Sequence, residues 1–354
     1  MLRGKYTLLA RFATSTFCKR KIFLRRSPMN LILKIQKVLT PGGRSMTESG
    51  MRFRASDGKI LAYRRSLPSS TLKAVVLVGH GMNDHSGRYI EFAEALARIG
   101  IAAYLPDLRG HGDTDTGKNR GYLADKDGFR RVLDDLVELG DFAAKEQGGV
   151  PLFYFGHSFG ALLGMGLCSI YGKYLDGVVL SAPPEKPSGF LRAAGRLVVA
   201  MGSRVLGVHA PGKLPRNMSF GDYNRTVRSA RTGSDWITRD GRVVDAYLAD
   251  PKCNFVCSYG FYADLMDGLD LVYAAGFLES VPTNLPIYLF CGSSDPVIGM
   301  RLGFDRLVQS FKTLGIVDFE SRCYEGARHE TINELNKDEV ISDIEDWFSR
   351  HIAQ

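Results

Sequence analysis

Gly156-His157-Ser158-Phe159-Gly160 is the stretch that decides how the rest of this sequence is read. Before it stands Pro151-Leu152-Phe153-Tyr154-Phe155, an apolar run of strand character, and after it Ala161-Leu162-Leu163-Gly164-Met165, the start of a buried helix. A serine in G-x-S-x-G between a strand and a helix is a nucleophile elbow. The chain reverses so sharply there that side chains two residues before and after the serine would collide; Gly156 and Gly160 remove those Cβ atoms. The serine hydroxyl is then held above the sheet at a helix N-terminus, whose dipole favours developing negative charge. A glycine-rich turn with an incidental serine is the plain alternative, and it gives no reason for chemical partners elsewhere.

A serine hydroxyl is a weak nucleophile that needs a base, and the base needs an orienting acid. After an elbow the chain order is serine, acid, histidine. Downstream, Pro286-Ile287-Tyr288-Leu289-Phe290-Cys291 reads as a strand, with Gly292-Ser293-Ser294-Asp295-Pro296 at its C-terminal end. Phe319-Glu320-Ser321-Arg322-Cys323-Tyr324 reads as the next, followed by Glu325-Gly326-Ala327-Arg328-His329-Glu330. Asp295 and His329 thus fall in loops at the ends of successive strands, where active-site groups collect in open α/β sheets. Among the other histidines, His80, His85, His111 and His157 precede the serine, His209 follows no strand, and His351 lies near the chain end. Asp264, Asp267 and Asp270 compete with Asp295 as acids but fall in a stretch without strands.

Val75-Val76-Leu77-Val78 is a continuous apolar run, as in a strand buried on both faces, and His80-Gly81-Met82 follows it. An elbow's oxyanion hole pairs the N–H after the nucleophile with one from the loop after this strand. The expected donors are the backbone N–H groups of Phe159 and Met82, with His80, Gly81 and the elbow glycines as support.

These segments carry a family resemblance. His80-Gly81-Met82-Asn83-Asp84-His85-Ser86-Gly87-Arg88-Tyr89 resembles the HGxxxHSGRY loop of the monoacylglycerol lipase and lysophospholipase group of α/β-hydrolases, often labelled serine aminopeptidase S33. Asp107-Leu108-Arg109-Gly110-His111-Gly112 resembles its DxRGHG segment, and Tyr324-Glu325-Gly326-Ala327-Arg328-His329-Glu330 its YxGAxHE segment. The departures are Asp113-Thr114 where x-Ser is usual, and Pro296 after the acid. The resemblance covers about residues 50–350 and implies an α/β-hydrolase fold: a mostly parallel, doubly wound sheet flanked by helices, with a mainly helical cap. Members include lipases, lysophospholipases and carboxylesterases, so it leaves the substrate open.

At 354 residues with 45% hydrophobic content, the chain is long enough for one full α/β core with additions. The net charge of +8 is local: residues 1–47 hold eleven Lys or Arg and no acid, leaving 35 basic against 38 acidic residues, or −3, in the remainder. A nucleic-acid partner is therefore not expected. The six cysteines are scattered; Cys253 and Cys257 lack a second pair, so neither zinc nor a disulfide framework is expected, and reduced thiols in a cytosol fit. No run approaches 18 apolar residues, so no membrane span is expected.

Residues 1–26 are basic and free of acids, as mitochondrial transit peptides are. Ser27-Pro28 then reads as a helix start, with Leu31, Ile32, Ile35, Val38 and Leu39 on one face, the pattern of a helix lying on an anionic membrane surface. Translation starting at Met29 or Met46 is the alternative.

The catalytic region reads as a β-hairpin over 51–65, a strand over 75–79, a helix over 88–99, a strand over 101–105 and a helix over 127–145. The last of these has Phe129, Val132, Leu133, Leu136, Val137 and Phe142 facing inward. The elbow, a strand over 177–180 and a final helix over 339–350 follow. Strands alternating with helices imply a parallel sheet. Between 184 and 282 the alternation stops, too long a gap for a plain crossover. The expected division is an N-terminal extension 1–47, core 48–184, cap 185–282 and core 283–354. Segment 190–206 is apolar on most sides, so it is either buried or membrane-facing. Packing as cap core is the favoured expectation, and on either reading the route to the serine is expected to be lined with hydrocarbon.

The sequence therefore reads as a serine hydrolase of lipid-like carboxylic esters, monoacylglycerol or lysophospholipid. Ser158 is the nucleophile, His329 the base and Asp295 its orienting acid, and no metal or organic cofactor is needed. The expected location is cytoplasmic with peripheral membrane contact, or mitochondrial if 1–26 is a transit peptide; oligomeric state is left open. The alternatives are a small-molecule carboxylesterase or amidase, and a non-catalytic ligand-binding module.

Overall fold

A computed structural model describes residues 36–39 and 45–352. The expectations for residues 1–35 lie outside the described residues. Gln36–Leu39, read from sequence as the end of an amphipathic helix, forms strand β1 instead. It pairs antiparallel with β2 (Ser45–Arg54), Gln36 opposite Ser49. An open strand edge offers backbone partners that outweigh a weak helical pattern. β2 and β3 (Ile60–Pro68) form the expected hairpin, closed by the Ala55 N–H to Lys59 C=O bond at 2.8 Å.

Six further strands follow: β4 (Ala74–Gly79), β5 (Ile101–Pro106), β6 (Leu152–His157), β7 (Gly177–Ser181), β8 (Ile287–Gly292) and β9 (Phe319–Tyr324). The sheet order is β1-β2-β3-β5-β4-β6-β7-β8-β9, and every pairing from β5 to β9 is parallel. β4, β5, β7 and β8 are buried along their whole length, as strands covered on both faces must be. One face packs on α1 (Ile90–Arg98) and α9 (Lys337–Ile352), through Phe92, Leu96, Trp347 and Phe348. The other packs on α2 (Gly128–Glu146), α3 (Phe159–Tyr171) and α8 (Met300–Thr313), through Leu133, Leu162 and Phe311. Strand order reverses around β4, so the loops after β4 and β6 open a crevice at the carboxyl ends of the strands. Within α2 the inward stripe includes Leu139 and Ala143, while Phe142 is 37% exposed and leans on Phe53 at 5.5 Å.

Four helices lie between β7 and β8: α4 (Gly189–Leu206), α5 (Lys213–Phe220), α6 (Gly241–Ala249) and α7 (Tyr259–Val272). α7 is anchored to the core: Phe261 sits 5.3 Å from Phe159, and Asp264 accepts the Gly128 N–H at the start of α2 at 3.0 Å. α4 overturns the expectation of a buried helix, because Val199 is its one buried residue. The face it turns to α7 carries Arg192, Gly195, Arg196, Val199 and Gly202. Arg192 and Arg196 pair with Asp270 and Asp267, and a Cβ on Gly202 would strike the Tyr259 ring. The opposite face exposes Phe190, Leu197, Met201 and Val205, and Leu191 and Leu206 are exposed near the helix ends. Among the described residues no helix is long and apolar enough to cross a membrane.

Candidate active site

Ser158 sits between β6 and α3 with φ 55° and ψ −114°, a conformation that ordinary side chains avoid. Its N–H donates to Ser181 C=O on β7 at 2.9 Å, and its carbonyl accepts the Leu162 N–H at 3.0 Å, which locks the turn from both sides. A Cβ at Gly156 would strike the Gly160 carbonyl, and one at Gly160 would strike the Gly79 carbonyl, so three backbone segments converge beneath the serine. The Tyr154 hydroxyl donates to the Gly160 carbonyl at 2.8 Å and fixes the elbow's far side.

His329 stands in the loop after β9. Its Nδ1 is 2.9 Å from Asp295 Oδ2, and both residues are buried. The other Asp295 oxygen accepts the Val297 N–H at 2.9 Å, so the carboxylate is held at both ends. Asp264, Asp267 and Asp270, the competing acids, are engaged at the α2 cap and with the α4 arginines. The insertion reaches the histidine directly: Trp236 C=O accepts the His329 N–H at 3.4 Å, and Ile237 C=O accepts the Glu330 N–H at 2.7 Å.

The loop after β4 is held by two buried histidines. His80 Nε2 accepts the Leu108 N–H at 3.0 Å, so its proton is on Nδ1, which donates to Gly81 C=O at 2.7 Å. That carbonyl shares a peptide plane with the Met82 N–H, so the ring sets the donor's direction. His111 repeats the arrangement one step on, Nε2 accepting the Asn83 N–H at 3.3 Å and Nδ1 donating to Arg109 C=O at 2.8 Å. Burial keeps both imidazoles neutral, and with His80 beside it the His111 value is pushed down to about 3.

This neutrality makes the loop acid-sensitive. Unfolded chain takes up a histidine proton near ~6.5, whereas folded His111 does not until about 3, so stability falls as pH drops through that window. His111→Gln is expected to cost ~1–3 kcal/mol at pH 8 but to flatten the acid side of the stability curve. Urea midpoints from pH 8 to 5 measure this; an unchanged slope would refute the role given to His111.

Sequence reasoning missed one bridge. Arg88 donates to Glu330 at 2.8 and 2.6 Å and to Asp84 at 3.2 Å, joining the loop after β4 to the residue beside His329. Burial works against the Asp84 charge, but Arg88 wins and holds its carboxyl down at about 2. The motif letters were visible; their meeting across 242 positions was not. His85, Asp250 and Cys253 bring donor atoms within 4.8 Å of one another, but this set does not fit a metal. His85 Nδ1 accepts the Gly87 N–H, leaving Nε2 protonated toward Asp250 at 2.9 Å.

Gly81, Met82, His157, Ser158, His329 and Glu330 line one cavity of about 280 Å³. Phe159 points its ring into the core beside Phe129 and Phe261, leaving its N–H next to Ser158. The cavity's outer wall comes from Arg216, Asn217, Phe220, Asn224, Trp236 and Asn254, none foreseen from sequence. No residue of α4 contributes, so the hydrocarbon expected along the route to the serine does not come from segment 190–206.

A monoglyceride lipase of Mus musculus is 29% identical over 84% of this chain and 89% of its own length. A monoacylglycerol lipase of Mycolicibacterium smegmatis is 28% identical over 87% of this chain and 99% of its own. A carboxyl esterase of Bacillus coagulans, solved with glycerol, superposes with a TM-score of 0.78 at 24% identity, covering 86% of this chain and 99% of that one; the shared fold is that of the α/β-hydrolases. Residues 70–336 match the family described as serine aminopeptidase, S33. With most of its length inside that match and the sheet order described above, this chain belongs to the serine aminopeptidase S33 family of α/β-hydrolases.

Proposed function

We propose that the chain is a serine hydrolase of carboxylic esters, acting on monoacylglycerol or lysophospholipid through an acyl-enzyme. The observation that carries this reading is the strained Ser158 sharing a cavity with His329, which is itself held by Asp295. Ser158 Oγ attacks the ester carbonyl while His329 Nε2 accepts its proton; the same nitrogen returns the proton to the leaving alcohol. Asp295 keeps the imidazole in that tautomer and steadies its cationic form. The Met82 and Phe159 N–H groups hold the oxyanion, each worth ~3 kcal/mol of transition-state stabilisation. Water, activated by His329, then releases the acid. No step needs a metal or an organic cofactor. In this reading segment 185–282 is a cap over the serine, and the exposed apolar face of α4 rests on a lipid surface, making the protein a peripheral membrane enzyme of the cytoplasm.

Labelling of Ser158 by a fluorophosphonate probe separates an enzyme from a silent binding module. Specificity constants for p-nitrophenyl esters, taken below their micelle concentrations, are expected to rise from acetyl to octanoyl, since each buried CH₂ contributes ~0.8 kcal/mol. The double change Leu197→Asp and Met201→Asp is expected to lower cleavage of vesicle-borne monoester far more than cleavage of dissolved acetyl ester. A rate that falls steadily beyond butyryl favours the small-molecule carboxylesterase, the second reading, to which the small cavity and its Arg216, Asn217 and Asn254 wall also point.

A further inference from the structure

The outer wall of the cavity holds a cation whose role the triad chemistry does not explain. Arg216, on α5, is half-buried and lines the same 280 Å³ space as Ser158 and His329. Its guanidinium makes one hydrogen bond, from an Nη to Asn254 Oδ1 at 3.2 Å, and among the described residues no carboxylate lies within ion-pair distance of it. Arg88 pairs with Asp84 and Glu330 and Arg109 with Asp57 and Asp135, while Arg328, beside His329, spends its guanidinium on the Asp235 and Thr238 carbonyls. Asp84 and Glu330 also line the cavity and both engage Arg88, which leaves Arg216 as a lining cation with no carboxylate partner of its own among the described residues. Asn217 and Asn254 stand beside it with amide groups, whereas Asn224 spends its own amide on Thr232 C=O and the Trp236 N–H. A guanidinium partly withdrawn from water, with free N–H donors in a fixed fork, is suited to bidentate recognition of an oxyanion.

We propose that Arg216, with Asn217 and Asn254, forms a subsite for a phosphate carried by the substrate's alcohol portion, so that the chain prefers phosphorylated glycerol monoesters to neutral ones. This rests on the ester-hydrolase reading above and sharpens it. The cavity joins the Gly81-Met82 loop beside Ser158 to Arg216 on α5, so a carbonyl at the serine and a phosphate at the arginine fall within one space. Nothing in the chemistry at Ser158 needs the phosphate; it contributes binding and orientation, and hence acts on KM more than on kcat.

The test uses the full-length chain and three 1-lauroyl monoesters: of glycerol, of glycerol 3-phosphate and of glycerophosphocholine. The expected result is a kcat/KM for the glycerol 3-phosphate ester about 10- to 100-fold above that for the glycerol ester, the range of one charged hydrogen-bonded pair. Arg216→Gln is expected to bring that ratio close to one through KM, and Arg216→Lys to retain part of it. Calorimetric binding of glycerol 3-phosphate to the Ser158→Ala protein, lost on adding Arg216→Gln, reads the subsite without turnover. A wild-type ratio near one, or a ratio that survives Arg216→Gln, overturns the subsite. Binding of glycerol 3-phosphate in a chain that cleaves none of the three esters would keep the subsite and overturn the ester-hydrolase reading instead.

Discussion

Ser158→Ala is expected to lower ester turnover about 10⁴-fold or more, some 5.5 kcal/mol of barrier, while substrate still binds. The magnitude follows from losing covalent catalysis altogether: the oxyanion donors and the cavity survive the change, and they alone give only residual acceleration. The variant should also match the wild type in stability, because alanine shares the backbone strain at φ 55°. Active-site titration with a fluorophosphonate excludes contamination by wild-type enzyme. Full esterase activity in the purified variant would falsify the assignment of the nucleophile.

The second large effect is expected at Asp295→Asn, roughly 10⁴-fold in turnover with the fold retained. An asparagine there would present its amide to His329 Nδ1 and stabilise the wrong tautomer, leaving Nε2 protonated and unable to accept the serine proton. Its oxygen can still accept the Val297 N–H, so the loop keeps its shape and the loss is chemical. Asp264→Asn, Asp267→Asn and Asp270→Asn serve as controls, since those carboxylates cap α2 or pair with α4. A near-normal Asp295→Asn alongside an inactive control would move the acid elsewhere.

The parts of the structure legible in the sequence are those where chemistry and strand ends coincide. Ser158, Asp295 and His329 each follow the C-terminal end of a strand, apolar in the first two cases and mixed in the third, so their meeting at one end of the sheet follows from parallel topology. What escaped depends on contacts that no local pattern records. α4 was misread because apolar residues were taken as the packing face. The helix in fact packs through glycines and arginines at 192, 195, 196 and 202, whose partners lie on α7, more than fifty residues away. β1 escaped because four residues gain a strand partner only when β2 is in place. α8 had no counterpart in the sequence reading, although Phe304, Leu307, Val308 and Phe311 recur at helical spacing and pack on the core. Arg216 gave no signal at all, since an unpaired cation is defined by what does not surround it.

The backbone bonds from Trp236 and Ile237 to His329 and Glu330 bear on how freely this fold can be recombined. In many modular enzymes an entrance can be exchanged while the reactive groups stay untouched. Here the segment that roofs the cavity is also a splint for the loop carrying the imidazole. Transplanting the insertion of another hydrolase onto this sheet would replace the splint along with the roof. Under the proposed mechanism substrate range and proton transfer are thus inherited together, and a chimaera that restores only the roof's side chains leaves His329 unsupported.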